Sequence, residues 1–424
     1  MASRLLTMAV GLACLAAVVA PGEAQQLPTP VNVTFNDAVA KAIARNPSVQ
    51  QAAAEILRAD ALLRQVRAQS FPTVAGAIGT TSLSYGGSTS VPQNQLTGSV
   101  TAGVPVYAPV QWAQRVQSMD NKQVAELSAA DVRRQIAVAA AQAYLAVIAR
   151  QRVLDANVLA RETAKSHYDY ARQRRESGAG SRLNELRALT QMSGIDVLVE
   201  VTKSELYKSQ EALGVLLAED GPIAATDEPS FELPPALDAA VTAMAASRTD
   251  VRLSTAREKA AQRVVSDSWK DWLPSVSALF QPLGINPDTT FQPTWTWRFQ
   301  VLAAIPVFDG GTRGGKKAER EVNLRENQIA LDGLMRQARS EIRAAQGSIA
   351  RLEQAVANAK LAAEQAHEVV TIVNVSFKVG AITNIEVIDA QRAALDADLA
   401  RVVADDQLRQ ARLNLLVALG RFPQ

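Results

Sequence analysis

The sequence predicts a mainly α-helical fold with a β membrane portion, made of two internally duplicated halves that each hold a long helical hairpin and a β-hairpin. Three observations carry that expectation. From Val110 to Ser177 there are 68 residues without a glycine or a proline, and an unbroken helix of that length would reach roughly 100 Å. The chain matches itself at an offset of about 202 residues, the mark of an internal repeat. In each half a polar section rich in glycine and proline carries a run of alternating apolar and polar residues, which is the period of a strand.

Residues 1–24 read as a secretory signal peptide, with Arg4 as the positive end, Leu5 to Ala20 as the apolar segment and Gly22-Glu23-Ala24 as a small-x-small cleavage site. Cys14, the sole cysteine, lies inside that segment. It is expected to leave with the signal, since Gly11-Leu12-Ala13 is a poor context for acylation. Disulfides and thiol chemistry are then excluded.

The first repeat, 25–224, is expected to hold a helix over about 35–70, a β-hairpin over 72–108, the long helix 110–177 and a returning helix 181–218 after Gly178-Ala179-Gly180. In the second, 225–424, the same order gives a helix over 237–271, a β-hairpin over 274–308, a long helix over 312–379 and a returning helix over 383–420. Gly333 and Gly347 mark places where the second long helix could bend. In register, Asp37 to Ala42 meets Ala239 to Met244, Phe71-Pro72-Thr73-Val74 meets Leu273-Pro274-Ser275-Val276, and Gly178 meets Gly380. Glu219 to Pro235, with four prolines, reads as the linker.

Leu96 to Val106 and Thr294 to Ala304 alternate most cleanly. In the second run Trp295, Trp297, Phe299 and Val301 share one face, against Thr296, Arg298 and Gln300. Strands of about 9–11 residues with a period of two suit a membrane barrel, and they equally suit a soluble hairpin with one buried face. Trp295 and Trp297 fit an aromatic girdle, or a core. Two hairpins supply four strands, too few to close a barrel, and open apolar edges aggregate. Membrane strands would therefore need several chains, and three copies would give twelve.

Lys plus Arg is 44 against 42 for Asp plus Glu, so no nucleic-acid partner is expected. After residue 24 no apolar run of 18 or more residues occurs, which excludes a spanning helix. Gly310, Gly315 and Lys316 fit the core of a phosphate-binding loop, but Lys317 stands where a Ser or Thr would ligate magnesium. His167 and His367 read as surface or packing residues, and no metal site, cofactor site or nucleophile–base constellation emerges. An enzyme is not expected.

The order of these features resembles the TolC-like outer membrane efflux proteins over residues 34 to 421. The strongest marker is Ile305-Pro306-Val307-Phe308-Asp309-Gly310-Gly311, similar to that family's step from strand into long helix, with a weaker counterpart around Pro105 in Val104-Pro105-Val106-Tyr107. Val379 to Ala390 looks like the family's second periplasmic turn, and Leu413 to Gly420 fits its close. The resemblance implies a homotrimer in the cell outer membrane, with a twelve-stranded barrel in outer membrane lipid. Beneath the barrel it implies a twelve-helix tunnel about 100 Å long across the periplasm. It further implies a periplasmic adaptor protein at the tips and an inner-membrane pump of RND, ABC or MFS type, with passive conduction for tripartite efflux or type I secretion.

On that resemblance Gly178, Ser181, Gly380 and Thr383 are the tip residues an adaptor would grip. Glu386 and Asp389, at i and i+3, are expected as an acidic ring at the tunnel mouth, with a solvated helix face as the competing reading. Asn184 and Arg187 stand at the corresponding offsets of the first half, so the ring is not doubled. Phe377 and Ile382 stand where a tyrosine and an arginine would be expected to hold the tunnel shut. An exported coiled-coil scaffold without a pore is the alternative from a different class.

Overall fold

The computed structural model describes residues 28–85, 87–232 and 245–422. The signal peptide with Cys14, the Ala239 to Met244 match and the end of the expected linker lie outside them.

Described residues are mostly helical. Thr34 opens α1 (Phe35–Arg45) by accepting the Asp37 amide at 3.3 Å. The expected single helix over 35–70 is in fact two, because Pro47 has no amide to continue α1 and starts α2 (Pro47–Ala68) instead. Asn46 serves both ends of the break. Its side-chain oxygen accepts the Ser48 amide at 3.0 Å and its side-chain nitrogen donates to the Leu216 carbonyl at 2.9 Å, so the kink is fastened to a helix from much later in the chain.

Two long pairs follow. In the first, α3 (Pro109–Glu176) turns back into α4 (Arg182–Leu217). After α5 (Thr249–Ser266), whose last turn tightens into a 3-10 segment over Ser268–Trp272, come α6 (Thr312–Lys378) and α7 (Asn384–Ala418). α6 stays helical through Gly333 and Gly347. Within the chain α3 lies along α4, α6 along α7, and α3 meets α7, so α4 and α6 are the outer members. Alanines make the close approach possible: Ala137, Ala140 and Ala141 are wholly buried beside Tyr144, Leu145 and Leu213. A second core gathers Ala338, Ile342 and Leu415. A buried ionic network ties α3, α5 and α6 together. Asp131 accepts from Arg134 and Thr249, and Arg248 bridges Asp250 at 2.7 Å and Glu341 at 2.6 Å. Burial works against the Asp250 carboxylate, yet the Arg248 bond and charge hold it below its usual range.

The region read as a linker is partly structured. β4 (Ile223–Ala225) pairs in parallel with β1 (Val31–Val33), in the register Val31 to Ile223. Sequence patterning misses such three-residue strands, because alternation needs four or more residues to register. Tyr144 fastens them. Its hydroxyl accepts the Thr226 and Asp227 amides, each at 3.2 Å, and donates to the Asp227 carboxylate. Burial and that carboxylate push the phenol's pKa up to about 12.

The other strands form one antiparallel sheet, ordered β2 (Thr73–Ser82), β3 (Asn94–Tyr107), β5 (Ser275–Asn286), β6 (Trp295–Ala304). The two hairpins join through β3 and β5, with Gly98 opposite Gly284 and Val104 opposite Ala278. β2 and β6 each have one neighbour, so a row of backbone donors and acceptors is open on either side of the sheet. Register gives its two faces. Val74, Ala102, Phe280 and Phe299 lie in one row, flanked by Ile78, Val100, Trp297 and Val301 on the same side. Thr97, Ser99, Gln281, Arg298 and Gln300 occupy the other.

Replacing Tyr144 by Phe removes a buried hydroxyl: the Asp227 amide loses its bond, while the Thr226 amide keeps the Val33 carbonyl and the Asp227 carboxylate keeps the Phe35 amide. The expected loss is about 1–3 kcal/mol. It should appear as a lower denaturant midpoint followed by circular dichroism at the helical band. An unchanged midpoint would mean the knot carries no stability.

Candidate functional site

The two helical turns are built alike. At each, a glycine takes a left-handed backbone, Gly178 at φ +76° and Gly380 at φ +80°, which a side chain adopts only with strain. Amides just past the helix ends close the turns: Gly178 donates to the Arg175 carbonyl and Ala179 to Arg174, while Gly380 donates to Phe377 and Ala381 to Ser376. These bonds satisfy carbonyls the helix leaves open. The returning helices start differently. Ser181 caps α4 by accepting the Asn184 amide at 3.2 Å, whereas Thr383 occupies the same position of α7 without a side-chain capping bond.

The structure brings the two turns side by side. His167 of α3 donates from Nε2 to the Asn384 side-chain oxygen at 2.7 Å, and Asn384 donates in turn to the Asn184 carbonyl at 3.3 Å. Phe377 closes over the same place, with ring centroids 5.4 Å from His167 and 5.9 Å from Tyr170. The Arg174 guanidinium sits 5.9 Å from its centroid, within range of a cation–π contact. Two turns later Arg392 donates to Gln191 at 2.7 Å, again between α7 and α4. His167 is 7% exposed, and burial pushes its pKa down from the ordinary 6.5.

Glu386 and Asp389 fall on the exposed side of the first turns of α7, opposite buried Asn384, Val387, Ile388 and Gln391. Among the described residues neither carboxylate has a charged or hydrogen-bonding partner. Arg187, at the matching place on α4, is exposed as well. Glu185 behaves in the opposite way. It is buried between Arg175 at 3.0 Å and Arg182 at 3.1 Å, a neutralised acid that sequence reading passed over. His367 likewise has a carboxylate neighbour that the sequence did not reveal, Asp398 at 2.8 Å, which lies 31 residues away and faces it only once α6 and α7 are antiparallel.

At the far end of α6 the strand-to-helix step is held by one carboxylate. Asp309 accepts the Gly311 amide at 3.1 Å, the Arg313 amide at 2.9 Å and the Arg313 guanidinium at 2.7 Å. The Arg313 bond draws its pKa down. Arg313 also donates to the Pro306 carbonyl at 2.9 Å and lies 4.1 Å from the Trp272 ring centroid. Gly310 and Gly311 both have positive φ, which explains the glycine pair. Phe308 is 89% exposed. In the first half Pro105 marks a register shift in the ladder between β3 and β5, as expected of a residue without an amide. Trp295 and Trp297 are 73% and 72% exposed on one face of β6.

A fold of paired helical rods rising from a hairpin sheet defines a class, and sequence comparison identifies it. The profile of the outer membrane efflux protein family matches residues 38–218 and 240–421. The chain belongs to that family. No curated protein matches the sequence. Solved structures with the same fold include the CusC channel, at 16% identity and a TM-score of 0.81 over 91% of this chain and 92% of that one. VceC of Vibrio cholerae aligns at 19% identity with a TM-score of 0.78 over 91% and 96%, and the CmeC channel of Campylobacter jejuni at 16% with 0.79 over 91% and 85%.

The His167 site has a signed pH dependence. Its folded-state pKa is depressed, so the unfolded chain binds the proton more readily and stability falls with acidification. The contribution is present in full above the ordinary 6.5 and is lost as pH drops below it toward the lowered folded value. His167→Gln keeps a donor for Asn384 without the titration. The difference between denaturant midpoints at about pH 7.5 and about pH 5.5 should be smaller in that variant. An equal difference would remove His167 from the pH response.

Proposed function

We propose that the protein is the outer membrane channel of a tripartite efflux or type I secretion assembly, a passive conduit with no covalent chemistry. One observation carries the reading: a four-stranded sheet with both edges unpaired and one apolar face exposed, continuous with helices about 100 Å long. Membrership of the outer membrane efflux protein family supports it. In this reading three copies close a twelve-stranded barrel in outer membrane lipid. The two repeats, 25–224 and 225–424, each give that barrel one hairpin and the periplasmic tunnel one helix pair. Trp295 and Trp297 lie in the interfacial girdle, and the steps at Pro105 and at Pro306 to Gly311 turn strands into tunnel helices.

The turns at Gly178, Ser181, Gly380 and Thr383 form the periplasmic end. They are exposed and built of small residues, a surface that a periplasmic adaptor joined to an inner-membrane pump could grip end to end. Glu386 and Asp389, unneutralised among the described residues, repeat threefold to put six carboxylates at the mouth, which favours cations. Replacing both by Ala should shift the reversal potential of the bilayer channel away from potassium under a KCl gradient. An unchanged potential would remove them from the mouth. A monodisperse monomer that stays soluble without detergent would instead favour the pore-free coiled-coil scaffold.

A further inference from the structure

Near neutral pH only one side chain of β2, β3, β5 and β6 carries a full charge, and it is Arg298. It lies on the polar face with Thr296 and Gln300 beside it in β6 and Gln281 directly opposite in β5. The same register puts Leu279 and Leu283, opposite Gln300 and Thr296, at its diagonals, within reach of a long side chain. Thr97, Ser99 and Thr101 continue that face on β3. Arg298 is exposed, and among the described residues it has no ion-pair or hydrogen-bond partner. The sole acid of the two hairpin loops is Asp288, in the loop beyond the end of β5.

A guanidinium on the lipid face of a barrel is strongly unfavourable, and here the aromatic residues take that side. Arg298 therefore faces the lumen wherever the sheet closes. It lies three residues from Trp295, roughly 10 Å along the strand, on the side of the barrel away from the tips. Weakly hydrated and always charged, a guanidinium binds carboxylate or sulfonate through two parallel donors.

We propose that Arg298 is a solute-binding and selectivity site of the barrel, three guanidiniums at one height taking amphiphilic organic anions, with the acid group on Arg298 and the apolar body against Leu279 and Leu283. The proposal rests on the channel reading above. It makes the conduit bipolar, with carboxylates at the tip and guanidiniums near the exit.

Bilayer recordings of the full-length protein test it, using Arg298→Gln, Arg298→Lys and naphthalene-2-carboxylate added on the barrel side. Arg298→Gln should conduct, move its reversal potential toward potassium and bind the carboxylate blocker about fivefold more weakly. Arg298→Lys, which keeps the charge, should retain the native reversal potential and recover part of the block. Conducting Arg298→Gln channels with native reversal potential and native block would overturn the site while leaving the channel reading intact. Native protein that never conducts would overturn the channel reading, and the site with it.

Discussion

Everything in this molecule turns on backbone groups that one chain cannot pair. β2 and β6 each bond to a single neighbour, and in hydrocarbon every unpaired amide and carbonyl carries a large cost. Water could satisfy those edges, but the sheet also exposes Trp295, Trp297, Phe299 and Ile78 on one side, an apolar area that water disfavours. The two demands conflict for an isolated chain. They agree once edges meet edges in a ring, with apolar residues outward and Thr97, Ser99, Gln281 and Gln300 inward.

The helices inherit that geometry through the steps. Asp309 gathers two amides and a guanidinium within seven residues of Pro306, so the direction of α6 is fixed by the end of β6 rather than by flexible chain. At the other end, the bond from His167 to Asn384 and the packing of Phe377 tie the two turns into one unit. Between those ends the alanine-rich surface of α3 and the ionic network around Arg248 keep the rods in register. A perturbation at a tip is thereby coupled to a packed body rather than to a free hairpin.

Much of this was legible in the chain. Absence of glycine and proline between Val110 and Ser177 permits one uninterrupted helix, and the alternation from Trp295 onward reads directly as a two-faced strand. What escaped the sequence depends on distant residues meeting. Asn46 and Pro47 looked like a helical interior until Leu216 came within reach of the asparagine. Ile223 to Ala225 looked like linker because its partner strand lies at the other end of the repeat. Glu185 and Glu386 are both acids in the first turn of a returning helix. Only the fold reveals that two arginines neutralise the first and that, among the described residues, none neutralises the second. The same holds for Asp398 beside His367 and Trp272 beneath Arg313.

Closure between copies is the central claim, and disulfide crosslinking reads it most directly. One cysteine fixed at Gln300 in β6 would be paired, in turn, with cysteines along β2 from Thr73 to Ser82, in membranes under mild oxidation. Strand-to-strand closure predicts covalent trimers at alternate β2 positions, those whose side chains share the inner face. Monomers at every position, or products without that alternation, would contradict it.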